Sequence, residues 1–487
     1  MSVGEKELYE IVVDIEHRHP VNDWVYGGIE LWPLMRSSLR DSFLVNQRRL
    51  ASKTKKEPSL KLNFSSFFHS FKTFRSLRKR DLMIFTSTSG HADRREDKLY
   101  DRVADPVYEF MANRFGWSAT KVSNGKRVSD VEGFFPMNFL DLRLFANPVK
   151  YLRHQKRFTK YLASIEATDE IESRSGLAIK SLLIKSVCFI LASEQSAKAI
   201  LKRANPTLVA FVCYYHNVNF AYLNAAKSLA IPTIDIQHGK QGVYHLMYAH
   251  WGQVPNNGYR MVPDFFWNWG ESSKVNIERG RNNLQQHQPV VLGNHWLINW
   301  KKNKAERESP QYRKLLDSYS TVVLFSLQQD METPIPDFVL DEIQTQRDVL
   351  WLFRLHPAQK IGNAKVLKSL ADLKVSNVEI HESSKLPLYQ IIEHVHLHLT
   401  NWSSVCIEAL NFGVKSIIVH PNGYDLYEEL INTEQFFYAK DSSDLCMAMD
   451  KIAADAGQVD ASDHFLMDME VIERRASQLF LEGMSRR

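Results

Sequence analysis

Residues 394–423 read HVHLHLTNWSSVCIEALNFGVKSIIVHPNG. An apolar run (394–404) ends in small polar residues, VCIEALNFG (405–413) has helical spacing, and a second apolar run (414–423) stops at Pro and Gly. Strand, helix, strand in that order is the pattern of a parallel βαβ unit. The same grammar recurs outward along the chain. DLMIFTSTSG (81–90), TLVAFVCYY (207–215), IPTIDIQHG (231–239), TVVLFSLQQ (321–329) and VLWLFRLHP (349–357) are short apolar runs with polar ends. Helical stretches such as NFAYLNAAKSLA (219–230) separate several of them. Near-continuous apolar strands are buried on both faces, as in parallel sheets covered by helices. The expected fold is α/β.

The strands fall into two sets. One runs through residues 81–295 and the other through 321–460, with the polar, basic stretch NWKKNKAERESPQYRK between them. The reading is two Rossmann-like domains joined by a linker at 296–320. A helical N-terminal extension (1–80) precedes them and a C-terminal helix (461–487) follows.

Composition agrees with that size. At about 150 residues per domain, 487 residues predict about three domains, or two large ones with an extension. A chain with 44% hydrophobic and 24% charged residues is neither a collagen nor a disordered scaffold. The four cysteines, Cys188, Cys213, Cys406 and Cys446, are too far apart for a CxxC motif, which fits a reducing compartment. The opening MSVGEKELYEIVVDIEHRHP lacks the apolar run of a signal peptide. No stretch reaches the ~18–20 apolar residues of a spanning helix; the best, 181–192, is short and carries Lys185. The expected location is cytoplasmic.

Charge is uneven. Residues 48–80 hold eleven Lys or Arg and one acid, a net +10, whereas the remainder has 50 bases and 55 acids. Within that segment Phe64, Phe67, Phe68, Phe71 and Phe74 recur at helical spacing beside Lys72, Arg75, Arg78, Lys79 and Arg80. Two readings stand: a Phe stripe packed into the fold with a solvated basic flank, or peripheral contact with an anionic membrane. Nucleic acid is not an expected partner.

Ligands of open α/β sheets bind at the carboxyl ends of strands, so the polar residues there matter most. His238, in Asp235-Ile236-Gln237-His238-Gly239, lies where an apolar strand gives out. Imidazole suits proton transfer near neutral pH, and the alternative is a hydrogen-bonded structural histidine. Arg354 and His356 alternate onto one side of their strand before Pro357 ends it. They read as phosphate ligands, or Arg354 as half of a structural ion pair. Ser403 and Ser404 start a helix directly after a strand, where free backbone N–H groups and hydroxyls converge on phosphate, although serines are also ordinary caps. Glu408, one turn on, is placed to accept ribose hydroxyls, or is a surface acid. Asp330 closes Ser326-Leu327-Gln328-Gln329-Asp330 and either serves the chemistry or caps the next helix. The group His91, Arg94 and Arg95, with Asp93, Asp97, Tyr100, Asp101 and Asp105, follows the first strand. It reads as an acceptor-binding loop or a surface network. His394, His396 and His398 share one strand face, but with no fourth ligand evident no metal is expected.

The QHG turn, RLHP, and the WSS turn with its EAL-type helix resemble bacterial surface-polysaccharide glycosyltransferases of GT-B architecture, over roughly residues 81–460. Related elements occur in bacterial sialyl- and polysialyltransferases and in CDP-glycerol glycerophosphotransferases. The resemblance implies a GT-B-like pair of Rossmann-like domains in capsule or lipopolysaccharide biosynthesis. It implies His238 as catalytic base, His356 on donor phosphate, and Ser403 and Ser404 as the phosphate-binding pair. The donor is implied to be a nucleotide sugar, a cytidine nucleotide slightly favoured, and the acceptor a growing polysaccharide or a lipid-linked oligosaccharide, with no cofactor. The chain departs from these families in places. An acidic sialyltransferase-type motif is not evident, and TNW stands where the glycerophosphotransferases have TDY. Retaining Kdo transferases tend to carry Glu near the place of His238. CDP-polyol phosphotransfer, sugar-nucleotide epimerisation and non-catalytic glycan binding therefore stay open as alternatives.

Overall fold

A computed structural model describes residues 4–51, 74–75, 77–86, 92–95, 98–123, 133–137, 139–140, 148–303, 310–328, 331, 333–356, 364–455 and 459–483. The chain divides into two compact units, one of residues 1–47, 54–296 and 466–487, the other of 48–53 and 297–465.

The first unit is built on seven parallel strands: β1 (Leu82–Thr86), β2 (Ala119–Ser123), β3 (Gly133–Pro136), β4 (Leu208–Val212), β5 (Thr233–Ile236), β6 (Phe265–Asn268) and β7 (Gln288–Val291). Their spatial order is β7-β6-β5-β4-β1-β2-β3. Direction reverses between β1 and β4, the doubly wound arrangement in which the switch point opens a crevice at the carboxyl edge. Strands β1, β4 and β5 are buried throughout, as their apolar runs require.

Six helices matter for the site in this unit: α1 (Glu5–Arg18), α2 (Trp32–Ala51), α3 (Ala104–Phe115), α4 (Val149–Leu162), α5 (Lys180–Ala204) and α6 (Asn217–Ser228). The N-terminal helices belong to the core: Leu8, Ile11, Val12, Ile15, Leu34, Met35 and Leu39 are buried in the same cluster as Val209, Phe211 and Phe266. The apolar stretch 181–192 lies within α5, whose Leu183, Val187, Cys188 and Ile190 are core residues. Among the described residues no helix is long and apolar enough to cross a membrane.

The second unit carries six parallel strands: β8 (Thr321–Ser326), β9 (Val349–Arg354), β10 (Val378–Glu379), β11 (Leu397–Thr400), β12 (Ser416–Ile418) and β13 (Phe436–Tyr438). Their order is β10-β9-β8-β11-β12-β13, the same winding, with the switch point between β8 and β11. Four of its helices are used below: α7 (His381–Lys385), α8 (Leu388–Ile392), α9 (Val405–Leu410) and α10 (Pro421–Asn432). The α/β expectation with two Rossmann-like sheets holds. The closing segment carries a helix, Met469–Ser477, and groups with the first unit.

Candidate active site

In the first unit the QHG turn follows β5. Gln237 is buried, and all of its side-chain polarity holds the turn. Its amide nitrogen donates to Gly239 O and Ser273 Oγ, both at 2.9 Å, and its amide oxygen accepts from Trp269 N at 2.8 Å. His238, next along, is half-buried. Gly239 is not among the glycines with left-handed backbone, so the turn owes its shape to the Gln237 bonds rather than to glycine freedom.

Beneath this turn lies Asp235, which accepts from Tyr214 N and from the Tyr248 hydroxyl, both at 2.8 Å. Complete burial pushes its carboxyl up to about 8, because a low-dielectric site disfavours the charged form. Burial likewise holds His245 well below the usual imidazole range, with Arg40, His238 and Arg36 adding repulsion. His245 and Tyr215 both pack on the Tyr248 ring, and the Arg40 guanidinium lies 4.6 Å from the Tyr215 ring centroid.

The segment after the turn is held by a buried cation. Arg36, on α2, donates to the carbonyls of Leu246 (2.7 Å), Ala249 (2.6 Å) and His250 (2.8 Å). It pairs with Glu16 of α1 at 2.9 Å, the two side chains being 0% and 3% exposed, and it stacks over Trp251. Glu16 is completed by Gly252 N and the Trp32 indole. A buried charge pair is tolerated only when its remaining donors and acceptors are satisfied in this way. Sequence reading missed this scaffold. The available signal was a charge set into each apolar helical face, Glu16 after Val12 and Ile15, Arg36 between Met35 and Leu39.

Of the expected acceptor group, His91 lies outside the described residues. Arg94 and Arg95 lie on a short strand, Ala92–Arg95, paired antiparallel with Lys98–Asp101. That hairpin is tied to the sheet edge at its far end. Thr86 donates to Asp101 at 2.6 Å, and Asp101 caps α3 through the N–H groups of Val103 and Ala104. Asp101 and Asp105 are thus buried network members, and Lys121 of β2 forms a buried ion pair with Asp105.

In the second unit, three adjacent strands, β9, β8 and β11, end together. Arg354 ends β9; its Nη1 donates to Ser383 O (2.6 Å) and Leu386 O (2.7 Å), capping the carboxyl end of α7. A guanidinium has five donors, so capping does not exhaust it. His356 is half-buried two residues further on. After β11, Thr400 donates to Ser326 O (2.9 Å) and accepts from Ser403 N (3.0 Å). Ser403 Oγ in turn accepts from Val405 N at 3.3 Å, so it also caps the six-residue α9. Ser404 is half-buried at the N-cap. Glu408, one turn along, accepts from the Tyr389 hydroxyl of α8. Asp330 and residues 52–73 of the basic aromatic segment 48–80 lie outside the described residues, while Phe74, the last of its Phe stripe, stacks on Phe139 and packs against the first core.

Two side chains at this switch point were not singled out from sequence. Ser326 Oγ and Asn401 Oδ1 are buried with no hydrogen-bond partner among the described residues, a state that costs about 1–3 kcal/mol each unless something fills it. Asn401 is held by its Nδ2 bond to Pro334 O (3.1 Å). Gly423 of α10 sits against the same turn, where a Cβ would come 1.9 Å from Asn401 O. Only the residue without a side chain admits that approach. His420 accepts from Asn422 N at 3.1 Å as the N-cap, Pro421 follows in the first turn, and the His420 ring packs on Trp402. The HP at 420–421 is thus a helix start. The alternating histidines are separated by their bonds: His396 Nδ1 accepts from Val322 N (3.0 Å), and His398 Nδ1 bonds Ser416 Oγ (2.9 Å).

No protein-family model matches the chain, and no curated protein matches its sequence. Solved structures do match in fold. A UDP-GlcNAc 2-epimerase from Methanocaldococcus jannaschii aligns at TM-score 0.50 and 13% identity, covering 82% of this chain and 99% of that one. A UDP-GlcNAc 2-epimerase from Neisseria meningitidis aligns at TM-score 0.48 and 14% identity, over 82% and 99%. The wall teichoic acid polymerase TagF aligns at TM-score 0.43 and 12% identity, over 93% and 97%. At these identities the likeness is one of fold: two Rossmann-like domains of GT-B type.

Proposed function

We propose that the chain is a glycosyltransferase that moves a sugar from a nucleotide-activated donor, with a cytidine nucleotide slightly favoured, to a growing bacterial cell-surface polysaccharide or lipid-linked acceptor. One observation carries this reading. His356, Ser326 and the Thr400–Ser404 turn stand on the carboxyl ends of three neighbouring strands at a switch point, with two buried polar atoms, on Ser326 and Asn401, left for a ligand. That is where an open α/β sheet takes a nucleotide.

In the proposed reaction the first unit binds the acceptor, and His238 takes the proton from its hydroxyl as the oxygen attacks the anomeric carbon. The bond from that carbon to the donor phosphate oxygen breaks, and the nucleotide leaves with the electron pair. Arg354, His356, Ser403 and Ser404 stabilise the developing phosphate charge, the task for which preorganised donors are most effective. Glu408, whose carboxylate also accepts from Tyr389, keeps its proposed role of accepting ribose hydroxyls; Asp330 and the residues His91, Arg94 and Arg95 keep their proposed catalytic and acceptor roles.

The test is a thermal-shift series with CMP, CDP, UDP, GDP and their sugars, since a ligand that binds only the folded state raises its apparent stability. A cytidine nucleotide should give the largest shift, and Ser403→Ala with Ser404→Ala should reduce it. No shift with any nucleotide would overturn the assignment. Conversion of a UDP-sugar without any acceptor would replace transfer by epimerisation.

A further inference from the structure

The helix α4, VKYLRHQKRFTKYL, is 14 residues long and carries Lys150, Arg153, Lys156, Arg157 and Lys160 with no acid. Its sidedness is set by the helical repeat of about 3.6 residues. Phe158 and Leu162 are buried, and Tyr151 and Tyr161 lie half-buried on the same side. Phe158 and Tyr161 pack on Tyr26, at 4.8 and 5.3 Å between ring centroids. That side fixes the helix to the first unit.

The opposite side is a continuous cationic ridge. Val149, Arg153, Lys156 and Lys160 follow one another at three- and four-residue spacing, with Arg157 and Lys150 on one flank and Leu152 on the other. All seven are exposed. None of the five bases forms an ion pair or hydrogen bond among the described residues. Other cations of this unit are paired: Arg18 and Arg174 share Asp14 and Glu170, and Lys180 meets Asp169. His154, half-buried beside the ridge, is held below its usual range by burial and then by Arg157, Arg153 and Lys150, so it adds no charge near neutral pH.

Two apolar side chains stand in this field. Val149 is 68% exposed and Leu152 57%, the two most exposed large hydrophobic residues described. A nucleic-acid backbone would reward the cations but not these side chains, and a protein surface would have to supply both acids and an apolar patch beside them. A bilayer rewards both: phosphate headgroups take the ridge, and the apolar residues enter the boundary below them.

We propose that α4 docks the first unit onto an anionic phospholipid surface, with Arg153, Lys156 and Lys160 on lipid phosphates and Val149 and Leu152 in the headgroup boundary. The site rests on α4 alone and is independent of the donor and of the reaction.

The test is flotation of the full chain with phosphatidylglycerol-containing vesicles and with pure phosphatidylcholine vesicles. The native chain should float with the first, not the second, and lose binding near 1 M salt, where the Debye length is about 3 Å. Changing Arg153, Lys156 and Lys160 together to Gln, which preserves helix propensity, should lower the bound fraction roughly tenfold or more. Leu152→Ser should lower it by a smaller factor, roughly threefold. Nucleotide-induced thermal shifts should be unchanged in both variants, which separates failure here from failure of the functional reading. Undiminished flotation of the triple variant overturns the proposal. So does dependence on Phe67 and Phe71 alone, tested by changing both to Ser, or binding of duplex nucleic acid in preference to vesicles with no effect of Leu152→Ser.

Discussion

The two units wind their strands in the same order but stabilise their carboxyl edges by different means. The first uses buried charge: Arg36–Glu16 and Lys121–Asp105 are both almost wholly inaccessible. The second has no comparably buried ion pair among the described residues. Its edge is held by caps and neutral hydrogen bonds: Arg354 on α7, Thr400 between Ser326 and Ser403, and Gly423 against Asn401. One strand order is thus held in two ways: by buried ion pairs whose remaining donors and acceptors must all be satisfied in the first unit, and by caps and hydrogen bonds that ask for no buried counter-charge in the second.

Breaking the ionic scaffold should have the largest effect. Arg36→Met leaves the Glu16 carboxylate buried without its partner, which costs about 3–5 kcal/mol. Denaturant titration of the first unit's transition should show that loss, and adding Glu16→Gln should recover part of it. A loss below about 1 kcal/mol would mean the pair is not the scaffold of the edge.

The imidazole comes next. His238→Ala should lower turnover about 10²-fold or more, as for other general bases, while donor-induced thermal shifts persist. A near-normal rate would remove the base assignment and make the first edge purely structural.

The pH response of Asp235 sharpens the contrast further. Its folded carboxyl titrates at about 8, against about 3.9 unfolded. Between those values the folded state holds the extra proton, so this residue's contribution is full below about pH 4 and is lost as pH rises through about 8. Asp235→Asn keeps partners for Tyr214 N and Tyr248 and should flatten that decline, read from urea midpoints at acidic and mildly basic pH. An unchanged slope would place the titration elsewhere. His398 gives the opposite sign in the second unit. Burial lowers it to about 3, so its contribution is present above about pH 6.5 and is lost on acidification.

The smallest effect is expected at the serine turn. Ser403→Ala removes the acceptor for Val405 N, a cap worth about 1 kcal/mol, and should lower donor affinity more than it lowers stability. The reverse ranking would make Ser403 only a cap.

Much of the fold was legible because buried parallel strands leave apolar runs. All seven quoted runs contain strands, though shorter ones: 394–404 narrows to Leu397–Thr400 and 414–423 to Ser416–Ile418. Other strands were not legible. ATKVS of β2 is fully buried, yet Lys121 interrupts its apolar run, because the compensating Asp105 comes from α3. Gly133–Pro136 and Val378–Glu379 are two- to four-residue edges with too little pattern to read.

Local chemistry therefore determined what could be read without coordinates: apolar runs, polar strand ends, and the positions of His238, His356 and the serine pair along the chain. Tertiary structure alone decided the strand orders, the capture of α1 and α2 into the first core, and which polar atoms, at Ser326 and Asn401, no described residue satisfies. The reason is physical. Burial of apolar surface leaves a periodic record in one segment, but hydrogen-bond satisfaction and charge pairing depend on partners distant in sequence, as Glu16 and Arg36 reach residues 246–252.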